Sequence, residues 1–135
     1  MIAQTLWVTT DRFEATTPAE NFINPRCFGE DFAKWLQTRL TEKGHDVSEP
    51  IQEDFGWVML ATMADRKFTI SIGIMDESIG QVPANWCVAV AYEKPLNPFL
   101  TWFKPAPVES LNALYKEVRT ALESEREFII SDEEP

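Results

Sequence analysis

WVMLATMADRKFTISIGI, residues 57–74, contains two runs in which large apolar side chains alternate with smaller or more polar ones. Period-two alternation is typical of β-strands that bury one face. The four residues ADRK separate the runs and predict a hairpin centred between Asp65 and Arg66. The predicted pairs are Trp57–Ile74, Met59–Ile72, Ala61–Ile70 and Met63–Phe68.

A third run, WCVAVAY (86–92), has the same alternation. Placed antiparallel with Trp86 beside Ile74, it extends one wholly apolar face across three strands. Burial specifies this register, because a slip of one residue would move the apolar set into water. The opposite face then carries Val58, Leu60, Thr62, Thr69, Ser71, Gly73, Cys87, Ala89 and Ala91.

Two stretches have the three-and-four spacing of amphipathic helices. The first runs from Gly29 to Lys43 and ends before Gly44, a typical helix stop. The second follows Pro107, which suits a first helical turn. The apolar stripes are Phe32, Trp35, Leu36 and Leu40 in the first helix, and Val108, Leu111, Tyr115, Val118 and Leu122 in the second. We expect both helices to cover the apolar face of the sheet.

The remaining segments complete an α+β prediction. Residues 2–9 and 127–130 are β-prone, whereas 10–30 has turn formers without a sustained period and predicts a long loop. Four prolines in 95–107 are compatible with an edge strand. We expect one domain, 1–135, with an antiparallel or mixed sheet of four to five strands, two helices on one face and a frayed acidic end at 131–135.

Composition restricts the function. The chain has 22 acidic and 12 basic residues, for a net charge of −10, which repels the phosphates of nucleic acids. Its start carries no basic stretch followed by an apolar one, and apolar residues nowhere run for the roughly 18 needed to span a bilayer. We therefore expect a cytoplasmic protein without nucleic-acid or membrane partners, and we interpret Cys27 and Cys87 as thiols.

Acidic side chains collect around EDFGW (53–57). Extending the hairpin register places Asp54 opposite Glu77, so that Glu53, Asp54, Asp76 and Glu77 gather at its open end. Water and salt, a Mg²⁺ or Ca²⁺ ion, or a partner that presents Lys or Arg could offset their mutual repulsion. The last alternative makes this cluster a docking surface.

Aromatic residues could supply anchors for such a partner. Trp57 lies beside the acidic cluster, and a bend at Gly56 could turn Phe55 away from the core. Trp102 and Phe103 lie in the proline-bounded segment, where they either pack on the core or dock another chain. The predicted partner-binding residues are Glu53, Asp54, Trp57, Asp76, Glu77, Trp102 and Phe103.

Several chemistries lack their residues, and we predict no catalytic residue, metal site or cofactor. His45 is the only histidine and lies beyond the helix that begins after Cys27, roughly 20 Å away, too far for a thiol–imidazole pair. Phosphate-binding glycine motifs and the GxSxG nucleophile motif are absent. The alternatives to a binding protein are a carboxylate–metal enzyme and a small-molecule pocket between the sheet and the helices.

A resemblance supports the binding hypothesis. The stretch INPxCFGEDFAxWL (23–36) followed by PIQEDFGW (50–57) resembles a pattern in small uncharacterised bacterial proteins. With the size and acidity of the chain, it is similar to immunity proteins of bacterial toxin systems. The resemblance implies a non-enzymatic inhibitor whose acidic face covers a basic partner, such as a toxin active site.

Overall fold

The alternating run at the centre of the chain forms the longest hairpin of the protein. In the computed structural model, which describes residues 2–92 and 106–135, β4 (Gly56–Met63) pairs antiparallel with β5 (Arg66–Ile74). The predicted register is wrong by two residues, because Trp57 pairs with Ile72 rather than with Ile74. Since the shift is even, every side chain keeps its predicted face.

The shift comes from a turn that is tighter than predicted. Ala64 and Asp65 alone connect the two strands, and both have positive φ angles, 52° and 62°. Two-residue hairpin turns with positive φ at both positions match the right-handed twist of the flanking strands. The sequence lacks the Asn-Gly pair that is typical of such a turn, and the prediction took all four residues of ADRK as the connection.

The sheet continues from β5 through β6 (Ala84–Tyr92) to β1 (Ile2–Thr10) and β7 (Ile129–Ser131), all antiparallel. The predicted alignment of Trp86 with Ile74 is confirmed. The first strand pairs with β6 along its whole length, so the chain's beginning lies inside the sheet. On its other side β1 pairs with β7, which places Ser131 beside Trp7.

Two short strands, β2 (Asp46–Val47) and β3 (Ile51–Glu53), share the outer edge of β4. Between them, the Ser48 backbone N–H donates to the Leu60 carbonyl at 2.8 Å, and the Ser48 hydroxyl accepts from the Leu60 N–H at 2.9 Å. With β2 and β3 the described sheet has seven strands, so the prediction of four to five strands was too low. Strands of two or three residues are too short to show a period.

Helices α1 (Glu30–Glu42) and α2 (Val108–Glu123) cover one face of the sheet, as predicted. Together with the apolar strand face they bury a continuous core. In α2 the buried stripe is Leu111, Leu114, Val118, Ala121 and Leu122, whereas Val108 is exposed and Tyr115 is half-buried. Neither helix is long and apolar enough to cross a bilayer.

The long predicted loop between β1 and α1 has no regular secondary structure and is held against the core. Phe13 stacks on Phe32 with ring centroids 4.3 Å apart. The Ala15 carbonyl accepts the Gly80 N–H at 2.7 Å. The loop is therefore a fixed layer that closes one end of the helix–sheet interface.

The proline-rich segment 95–107, predicted as a possible edge strand, lies almost wholly outside the described residues.

A charged and aromatic cluster ties this loop to both helices. Arg12 donates to the Glu125 carboxylate at 2.8 Å, and Arg39 donates to the same oxygen at 3.0 Å. The Arg12 guanidinium lies 5.0 Å from the ring centroid of Phe128, and that of Arg39 lies 5.4 Å from Trp35. The hydrogen bond from Arg12, with the nearby positive charges, lowers the pKa of Glu125.

The two-residue turn makes a testable prediction. Replacing Ala64 by glycine should raise the free energy of unfolding by about 0.5–1 kcal/mol, because a side chain with positive φ is strained and glycine is not. The same change at the exposed helical residue Ala113 should lower it by about 1 kcal/mol. Urea denaturation of both variants measures the two effects, and changes of equal sign would contradict the turn geometry.

The Glu125 cluster predicts a pH dependence. A carboxyl group whose pKa is lowered on folding stabilises the fold above its ordinary pKa of 4.5, and this stabilisation is lost as the pH falls through the folded value. Glu125→Gln should therefore lower Tm at pH 7, and the difference from the unmodified protein should shrink as the pH falls below 4.5. The exposed Glu49 forms no side-chain hydrogen bond or ion pair within the described residues, so Glu49→Gln is the control and should leave Tm at pH 7 nearly unchanged. Thermal melts at several pH values give the comparison.

Candidate functional site: an acidic cavity on the open face of the sheet

Within residues 2–92 and 106–135, no helix lies over the second face of the sheet, and the side chains at the centre of this face are small. Four strands contribute them: β1, β4, β5 and β6. Their residues are Thr5, Trp7 and Thr9 from β1, Val58, Leu60 and Thr62 from β4, Thr69, Ser71 and Gly73 from β5, and Cys87, Ala89 and Ala91 from β6. For β4, β5 and β6 this is the face that the alternation predicted. We call it the open face.

A cavity of about 340 Å³ lies on the open face. Its floor is made by short side chains of β5 and β6, namely Ser71, Gly73, Cys87 and Ala89. Its walls come from four other segments, and they comprise Arg26, Phe55, Ile74, Met75, Asp76, Glu77 and Glu134. This volume is at the lower end of the range found for ligand pockets, about 300–1,000 Å³. The small-molecule pocket was predicted between the sheet and the helices, whereas this cavity lies on the opposite face.

The Phe55–Gly56 step positions one wall of the cavity. A Cβ on Gly56 would lie 2.3 Å from the Ile72 carbonyl oxygen, and a Cβ on Gly73 would lie 2.9 Å from the Phe55 carbonyl oxygen. Only glycine permits backbones to approach this closely. The chain bends at this crossing, so Phe55 is 43% exposed and lines the cavity.

The same bend sends Trp57 to the other face of the sheet. Trp57 is only 4% exposed, and its indole N–H donates to the Cys27 carbonyl at 3.0 Å in the core. Trp57 lies near the acidic residues in the sequence, but it is too buried to serve as the predicted partner-binding anchor. Phe55 has the exposure that a contact with another molecule needs.

The predicted acidic residues lie at two neighbouring turns. Glu53 pairs with Gly56 in the β3–β4 hairpin, so the chain reverses at Asp54 and the predicted pairing of Asp54 with Glu77 is wrong. Asp76 and Glu77 lie in a 3₁₀ turn, Asp76–Ser78, after β5. All four carboxylates are exposed, and Asp76 and Glu77 line the cavity.

The end of the β1–α1 loop connects these two turns. The Asn24 amide donates to the Asp54 carbonyl at 2.9 Å, and the Cys27 thiol lies 3.4 Å from the Glu53 carbonyl. Between them, the Arg26 Nε lies 2.9 Å from the Asp76 carboxylate. The chain itself thus places one guanidinium at the rim of the cavity. Because both side chains are exposed, the pair contributes little stability, about 0–1 kcal/mol.

The acidic C-terminal end also reaches the cavity. Arg119 on α2 pairs with Asp132, and this hydrogen bond raises the pKa of Arg119. The Ser131 hydroxyl donates to the Glu133 carbonyl at 2.8 Å and accepts the Glu133 N–H at 3.0 Å. These contacts connect the start of the acidic end to α2, and Glu134 lines the cavity wall. The expected fraying of residues 131–135 stays a prediction.

Cys87 lies in the floor of the cavity as a free, half-buried thiol. Burial raises its pKa, and the negative charge of Glu134 raises it further. The thiol form is therefore favoured at neutral pH, and the thiolate required for nucleophilic chemistry is disfavoured. Cys27 is also free and is buried in the core, so the prediction of two thiols is confirmed.

Within residues 2–92 and 106–135, no group of three or more His, Cys, Asp or Glu side chains is arranged to hold a metal ion. The four carboxylates of the carboxylate–metal alternative, Glu53, Asp54, Asp76 and Glu77, are all described and do not form such a group. Trp102 and Phe103, predicted as further anchors, lie outside the described residues.

Sequence reasoning did not identify Arg26 and Glu134 as cavity residues. Each reaches the cavity from a segment distant in sequence from β5 and β6. The β7–β1 pairing brings Glu134 there, and the packing of the β1–α1 loop brings Arg26 there. A local pattern contains neither kind of information.

No protein-family profile, curated protein or solved structure matches this chain.

The glycine crossing predicts a strong position-specific effect. Gly56→Ala should lower the free energy of unfolding by about 3 kcal/mol or more, because its Cβ would overlap the Ile72 carbonyl. Gly44→Ala is the matched control, since Gly44 also has positive φ but open space around it, and should cost about 1 kcal/mol. Similar losses in both variants, measured by urea denaturation, would show that the backbones do not approach closely at Gly56.

Proposed function

We propose that the protein is a non-enzymatic binding protein whose acidic end, formed by Glu53, Asp54, Asp76, Glu77 and Phe55, binds a basic protein partner. The single observation that carries the proposal is the combination of four exposed carboxylates with an exposed aromatic ring at adjoining turns. An immunity-type inhibitor of a basic toxin is one form of this function.

Electrostatics favours a partner of positive charge. The net charge of −10 attracts basic molecules over distances set by the ionic strength, with a Debye length of about 8 Å in physiological salt. The two acidic turns concentrate that charge at one end of the sheet. Opposite charge at an interface mainly accelerates association and rejects partners of the wrong sign.

The exposed ring of Phe55 supplies the apolar part of the proposed interface. Interfaces derive much of their binding energy from a few large side chains surrounded by polar residues. Phe55 lies in the β3–β4 turn with Glu53 and Asp54 immediately before it. Ile51, also exposed, precedes them on the edge strand β3. The acidic end therefore combines an apolar centre with a charged rim.

Capture and kinetic measurement test this function together. The unmodified protein, immobilised and incubated with an extract of its native cells at low salt, should retain a basic protein that mass spectrometry identifies. With that partner, Asp54→Lys/Glu77→Lys should reduce the association rate constant about tenfold. The reduction should shrink as ionic strength rises.

The control reverses two exposed carboxylates on the helix layer, Glu42→Lys/Glu109→Lys. This variant has the same net charge as the test variant, so it separates local charge from total charge. We expect its association rate constant to fall much less. Equal rates for the unmodified protein and the Asp54/Glu77 variant would remove the acidic end from the interface.

A further inference from the structure

We propose that the open-face cavity is a pocket for one lysine or arginine side chain of a bound partner, with Glu77 and Glu134 as the carboxylates that receive its charge. This inference rests on the proposed function and specifies it. The proposed function assigns partner binding to an exposed surface, and this inference assigns part of that binding to a cavity.

The charges around the cavity favour a cationic occupant. Its walls carry three carboxylates, Asp76, Glu77 and Glu134, against one guanidinium, Arg26, which pairs with Asp76. Glu77 and Glu134 belong to two segments far apart in the sequence, and both line the cavity, so a cation bound in it would be attracted by both. In a partly enclosed site this attraction is screened less than at an open surface.

The shape and the apolar lining suit a long side chain with a charged end. Short residues on β5 and β6 leave depth for an aliphatic stem, and Ala89 and Gly73 offer it an apolar floor. The Phe55 ring forms a wall, and aromatic faces attract cations. Lysine and arginine combine an apolar stem with a charged head, which matches both properties of the cavity.

The chain itself shows that this rim receives a guanidinium group. Arg26 contacts Asp76 at 2.9 Å and forms part of the cavity wall. Within the described part of the chain, Glu77 and Glu134 form no salt bridge, so both remain for a second cation. The proposed occupant therefore does not need Asp76, which Arg26 already contacts.

A peptide titration followed by NMR tests the pocket. The probe is acetyl-Gly-Arg-Gly-amide, and its uncharged analogue carries citrulline in place of arginine. In ¹H–¹⁵N spectra of the full chain, the arginine peptide should shift the amide signals of Ser71, Gly73, Cys87 and Ala89, with a Kd of order millimolar. The citrulline peptide, of nearly the same shape, should bind at least fivefold more weakly.

Two variants probe the charge and the space separately. Glu134→Gln should weaken binding of the arginine peptide at least threefold and leave the citrulline peptide unaffected. Ala89→Leu fills the floor without changing any charge and should abolish the localised shifts. If Ala89→Leu does not fold, the Glu134→Gln titration still decides. The pocket proposal would be overturned if the two peptides bound equally well, or if the amide signals shifted only in the β3–β4 turn.

The pocket and the proposed function can fail independently. A captured basic partner that binds Ala89→Leu as tightly as the unmodified protein would overturn the pocket but leave the acidic end as its interface. Specific binding of the arginine peptide in the cavity, together with a partner that is insensitive to Asp54→Lys, would support the pocket and contradict the wider acidic interface. Asp54 does not line the cavity, so this variant leaves the pocket intact.

Discussion

The close approach of two backbones at Gly56 and Gly73 is the constraint on which the candidate site depends. At this crossing the chain enters the sheet, Trp57 turns into the core and Phe55 turns onto the open face. Any side chain at Gly56 would push the β3–β4 turn away from β5. The acidic turn and the aromatic wall of the cavity would then separate from the cavity floor.

The two faces of the sheet divide stability from recognition. The helix-covered face carries large side chains that the helices and the β1–α1 loop bury. The open face carries Ser, Thr, Gly, Cys and Ala at its centre, which leaves a concave surface. A substitution on the open face therefore affects few core contacts. This separation is what allows a site to be altered without loss of the fold.

Charge is arranged differently at the two ends of the β1–α1 loop. At its beginning, Arg12 satisfies Glu125 beside aromatic rings, and this cluster holds the loop to both helices. At its end, Arg26 pairs with Asp76 in solvent, while neighbouring carboxylates stay exposed. The first cluster serves to hold the fold together, because its positive and negative charges neutralise each other. The second leaves an excess of negative charge, which is available to another molecule.

The sequence by itself determined the α+β class, both helices, the three central strands and the face on which each of their side chains lies. Periodicity is a local property, and burial of one face makes it visible along the chain. Only the tertiary structure decided the Ala64–Asp65 turn, the two short edge strands, the burial of Trp57 and the cavity that Arg26 and Glu134 help to form. The turn and the edge strands are too short to show a period in the sequence. The burial of Trp57 and the cavity depend on contacts between residues far apart in the chain, and no spacing within one segment encodes such contacts.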